Sequence, residues 1–85
     1  MMIPTVHLNG TAKKNLLEEL HEASTALRAA EVVLQQVTVH GRDYYVQGPH
    51  AYGQARTEMD ARLAALTNLQ YEIQTMYQEI QKQGR

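Results

Sequence analysis

The residues best suited to chemistry in this chain of 85 fall in two short stretches. The first is Gly41-Arg42-Asp43-Tyr44-Tyr45-Val46-Gln47-Gly48-Pro49, longer than most helix–helix connections and dense in aromatic and hydrogen-bonding groups. Tyr44 and Tyr45 offer flat faces to a base or ring, Arg42 a planar fork to a phosphate, and Gln47 a donor and acceptor to a polar edge. The plainer alternative is that the tyrosines cover the end of a helical hairpin while Arg42 and Asp43 bond loop backbone. The second stretch is His7-Leu8-Asn9-Gly10-Thr11-Ala12-Lys13-Lys14, a glycine turn that feeds a helix N-terminus. Free backbone N–H groups, the Thr11 hydroxyl and the positive dipole end favour an anion there. Lys13 and Lys14 oppose that dipole by a few tenths of a kcal/mol, a penalty that a bound phosphate reverses. Otherwise both lysines are simply solvated. The stretch is not a Walker loop, which needs spaced glycines followed by Lys-Ser/Thr after a strand.

Little else has the spacing of an active site. His7, His21, His40 and His50 form no i, i+4 metal pair and lack a carboxylate-rich setting. Ser24 has His21 three residues before it but no elbow turn or oxyanion hole. Asp43, Glu58 and Asp60 have no better support as acids or bases. Cysteine is absent, which removes disulfides, thiolate metal sites and thiol nucleophiles. The expectation is a protein that is not an enzyme and holds no metal or cofactor.

The elements that must position these stretches are two amphipathic helices. From Leu16 the apolar residues recur at Leu20, Ala23, Leu27, Ala30, Leu34 and Val37, steps of four and three that lay a coiled-coil-like stripe along one helix. Thr11 is the expected N-cap and Gly41 the expected stop, giving a first helix over 11–40. A loop over 41–48 follows. The second helix, 49–82, opens at Pro49, whose fixed φ suits a first helical position. Its stripe is Tyr52, Ala55, Met59, Leu66, Leu69, Ile73, Met76 and Ile80, with Arg62 as a polar step in the seam and Leu63 beside it. Arg62 in that place sets register or pairs with an acid. Residues 1–10 read as an extended arm turned by Asn9-Gly10, and 83–85 as a frayed tail. The β-branched and aromatic run Val37 to Val46 leaves helix, loop and short β-hairpin open at the tip; with a β-hairpin the first helix ends near Gln36.

The expected fold is therefore all-α, a single domain built as an antiparallel two-helix hairpin with a short extended N-terminal segment. Its length is near the limit at which one core offsets the entropy of folding, and Phe and Trp are absent. Self-association is the expected remedy. Leu63, Leu66, Tyr71 and Tyr77 widen the apolar face beyond what one partner helix covers, which marks them as the interface of a homo-oligomer. A net charge of −1 with scattered Lys and Arg argues against a grip on duplex nucleic acid. No apolar run is long enough for a bilayer, and Met1-Met2-Ile3-Pro4 lacks the regions of a signal peptide, so a cytoplasmic protein is expected.

The motifs His7-Leu8-Asn9-Gly10-Thr11 and Gly41-Arg42-Asp43-Tyr44-Tyr45-Val46-Gln47-Gly48, on either side of a leucine-patterned helix, resemble a family of small phage and prophage helical-hairpin proteins. That likeness implies a phage accessory protein and carries no assigned activity. The hairpin architecture is also similar to phage sponge proteins, which counter anti-phage defence by sequestering cyclic nucleotide signals in oligomeric pockets. No ligand residue is carried over from them. The resulting expectation is an oligomer that binds a nucleotide-like signal without turnover, through Thr11, Lys13, Lys14, Arg42, Tyr44, Tyr45 and Gln47. The rival is a protein–protein module that blocks a host protein, or a helical scaffold in a phage assembly.

Overall fold

The structure is a computed structural model that describes residues 1–84. Two helices, α1 (Lys13–Gln35) and α2 (Ala51–Gln81), pack against each other, and among the described residues there is no strand. The hairpin forms a rod of 61 × 20 × 17 Å.

The seam follows the three-four spacing, with the polar steps elsewhere than expected. Leu16, Leu20, Ala23, Leu27 and Leu34 of α1 are half-buried, as are Tyr52, Ala55, Met59, Leu63, Leu66, Ile73 and Met76 of α2. Arg62 is exposed and Leu63 takes its place. The polar pair inside the seam is Glu31 with Gln70. Gln70 Nε2 donates to Glu31 Oε2 at 2.6 Å, and Thr67 Oγ1 donates to Glu31 Oε1 at 3.4 Å. A carboxylate held from across the interface by two neutral donors fixes the axial register of α1 against α2, because a slip along the rod breaks both bonds.

The first helix is shorter than expected at both ends. At its start the N-cap is Ala12, extended at φ −61° and ψ 141°, and no side chain caps the turn, so Thr11 does not serve as N-cap. At its end the helix stops at Gln35, well before Gly41. The physical reason is the run Val37-Thr38-Val39, whose branched side chains lose rotamer freedom in a helix. Gln36 and Val37 close it by donating to Val33 and Leu34 at 3.1 Å each. The chain then runs extended to His40 (φ −119°, ψ 137°).

Neither a plain loop nor a β-hairpin forms the tip. Two 3-10 turns, Gly41–Asp43 and Tyr45–Gln47, do so instead, the first capped by His40 Nδ1, which accepts from Arg42 N–H at 3.1 Å. Gly48 has φ 119° and ψ 167°, a conformation open to glycine almost alone, and it turns the chain into Pro49 and His50. α2 begins at Ala51, two residues past the proline expected to open it.

The other end of the rod is closed by the N-terminal arm. Gln83, assigned from sequence to a frayed tail, holds that arm by both atoms of its amide. Its Oε1 accepts from Val6 N–H and its Nε2 donates to the Pro4 carbonyl, each at 2.7 Å. Val6 is 9% exposed and Ile80 fully buried, the most enclosed apolar residues among those described. The arm returns to α1 through a turn in which Gly10 N–H donates to the His7 carbonyl at 3.2 Å. A Cβ at Gly10 would lie 2.8 Å from His7 Nε2, so any larger residue there would displace the exposed His7 ring.

Candidate ligand-binding site

The residues singled out in the sequence lie in two groups at opposite ends of the rod. Arg42, Tyr45 and Gln47 are exposed at the tip, Tyr45 by 74%, while Tyr44 is half-buried between the two 3-10 turns. Thr11 and Lys14 are exposed at the other end. Within one protomer they cannot meet, because α1 separates them along a rod 61 Å long.

Lys13 has a structural role that the sequence did not reveal. Lys13 Nζ donates to the Gln83 carbonyl at 2.5 Å. In an antiparallel hairpin the start of α1 lies beside the end of α2, so a cation that opposes the dipole of its own helix complements the negative end of its neighbour. Lys13 is therefore bonded to protein and keeps two further donors. Lys14 lies 4.0 Å from Glu18 with both side chains largely exposed, a pair of little energetic weight.

Beside this end a groove opens along one flank of the hairpin. It has a volume of about 780 Å³ and is lined by Lys13, Lys14, Leu17, His21, Tyr77 and two glutamates, Glu18 and Glu22. Two smaller hollows continue it, of about 260 and 290 Å³, where Ser24 and Arg28 of α1 face Gln74 of α2. Sequence reasoning missed this flank. Its signal was the polar residues at helical spacing just off each apolar stripe, His21, Thr25 and Arg28 on α1 and Thr67, Gln74 and Tyr77 on α2. His21 and Ser24 line the same hollow, and among the described residues no hydrogen bond joins them.

The residues expected to form an interface between copies are divided. Leu63 and Leu66 are half-buried in the hairpin's own seam, and Tyr77 is half-buried at the edge of the groove. Tyr71 remains 70% exposed. The apolar surplus lies elsewhere: Val32, Val33 and Val37 near the end of α1 and Leu69 on α2 are each more than two-fifths exposed.

Among the described residues no three of His, Asp and Glu converge as a metal-binding group, and no helix is long and apolar enough to cross a membrane. No known protein family, curated protein or solved structure matches the chain.

Proposed function

We propose that the chain is a phage-type accessory protein that works as a homo-oligomer and sequesters a nucleotide-like signalling molecule without catalysis, in the host cytoplasm. The single observation that carries this reading is the outward presentation of complementary chemistry at the two ends of the rod. Arg42, Tyr45 and Gln47 project at the tip beside Tyr44, and Thr11 and Lys14 stand at an uncapped helix start. Phosphates suit the cations and the free N–H groups of that helix end, and bases suit the tyrosines. Lys13 keeps donors for a phosphate while bonded to Gln83. The groove beside Lys13 and Lys14 lies at the opposite end of the rod from the tyrosines of the tip, so enclosing one ligand with both requires a second copy that places a tip beside a helix start.

Calorimetry against cyclic dinucleotides, cyclic trinucleotides and cyclic ADP-ribose isomers tests this. The expected result is saturable heat with one class, weakened at least tenfold by Tyr45→Ala and by Lys14→Ala, each of which changes only an exposed side chain. A folded oligomer that gives no heat with any member contradicts the reading.

The exposed Val32, Val33, Val37 and Leu69 favour one rival, a module that blocks a host protein through an apolar helix face. Capture of a single host protein that survives Tyr45→Ala but is lost with Leu69→Glu would support the rival.

A further inference from the structure

The hairpin exposes more surface than a compact globular monomer of its mass. It exposes 6484 Å². A globular monomer of this mass exposes roughly 5,100 Å² by the usual size scaling, so the excess is on the order of 1,400 Å², more than the ~800 Å² that each partner contributes to a standard stable interface.

That excess includes a coherent flank. Ala26, Ala30 and Val33 of α1, with Val37 just past its end, recur at steps of four and three and are exposed, to one side of the seam residues Leu27 and Leu34. The groove residues His21, Thr25 and Arg28 lie to the other side of that seam. The bonds from Thr67 and Gln70 to Glu31 set the level of the two helices, which places Leu69 and Ala65 of α2 beside Ala30 and Val33. The result is an apolar strip across both helices, with alanines that let another helix approach closely.

Charge defines the direction of approach. On α2 the strip ends in Arg62 on one side and Glu72 on the other, both exposed. Among the described residues the ion pairs are Lys14–Glu18, Arg56–Asp60 and Lys82–Glu79, and neither Arg62 nor Glu72 takes part in one of them. We propose that this strip is the docking surface for a second copy of the chain, packed antiparallel as a four-helix bundle in which Arg62 of each copy meets Glu72 of the other. A two-fold axis across the rod near Ala30 and Thr67 brings both pairs together at once, as an isologous interface requires. A parallel arrangement puts Arg62 beside the uncharged Gln36 and Val37 and leaves both charges unpaired.

The antiparallel arrangement also lays the Thr11–Lys14 end of one copy alongside the Arg42–Gln47 tip of the other. It thus deepens the proposed function: it rests on the reading of the chain as a self-assembling protein, and not on the chemistry of the ligand.

Sedimentation of the full chain tests the surface. Wild type is expected to sediment as two chains or a multiple of two, and Leu69→Glu as half that mass with its helical circular dichroism retained. Arg62→Glu should also halve the mass, and Arg62→Glu combined with Glu72→Arg should restore it, which a variant that merely misfolds cannot do. Since the chain has no cysteine, Ala30→Cys reports direction: mild oxidation should join two chains next to the axis, whereas a parallel pair keeps the thiols apart. A wild-type monomer, an assembly indifferent to Leu69→Glu and to the charge exchange, or no disulfide from an Ala30→Cys assembly overturns the proposal. An intact antiparallel pair that binds no nucleotide overturns the ligand reading alone.

Discussion

Two side chains at the residue scale do what the apolar pattern cannot. Glu31 is the register pin of the hairpin, and its partner Gln70 is the main donor that satisfies it. Gln70→Ala leaves a half-buried carboxylate with the Thr67 hydroxyl alone. The expected cost is about 1–2 kcal/mol, a fall in Tm of roughly 5–10 °C for a domain of this size, measured by thermal circular dichroism. Gln83 ties the arm by pairing with Val6 and Pro4 as a neighbouring strand would. Gln83→Ala should raise the amide exchange rate at Val6 at least tenfold while leaving the middle of α1 unchanged, a local opening seen by hydrogen exchange. Neither role was legible in the sequence. A glutamate beside a leucine stripe reads as solvent-facing, and a glutamine in the polar run Gln81-Lys82-Gln83-Gly84 reads as tail, until the fold supplies a partner far along the chain.

The elements were legible to the extent that their signal was periodic. Leu16, Leu20, Leu27 and Leu34 announce one face of α1 because steps of three and four keep them on a line, and the same holds for Met59, Ile73 and Ile80 in α2. The ends were harder. Gly41 is a good helix stop by type, but the branched run Val37-Thr38-Val39 comes first in the chain and ends the helix before the glycine is reached. Thr11 likewise has the right chemistry for a cap, while the tight turn at Gly10 places Ala12 at that position. The groove went unseen because its lining mixes Leu17 and Tyr77 with charged side chains from both helices and becomes a surface only when the two helices lie together. Ile80 tests the energetic account of these elements. Among the described residues it is the one large side chain with no exposed surface, at the end where the arm closes over the seam. Ile80→Ala is expected to cost about 2–4 kcal/mol, read as a lower urea midpoint, whereas Val33→Ala should have far less effect on a dissociated chain.

On the scale of the whole molecule the hairpin is a thin rod whose two helices cover one face of each other and little more. Most seam residues are only half-buried, and the apolar side chains left outside lie on defined flanks. If the proposed self-association holds, the chain gains stability by mass action with its own copies, and its Tm should rise with protein concentration, by several degrees over a hundredfold range. The proposed association would unite the two ends proposed to hold phosphates and stack rings, which is why assembly and ligand capture belong to one account. The measurement that tests this account most directly is native mass spectrometry of the untagged protein at micromolar concentration. An even number of chains is predicted. A single chain, monodisperse and helical, would contradict it.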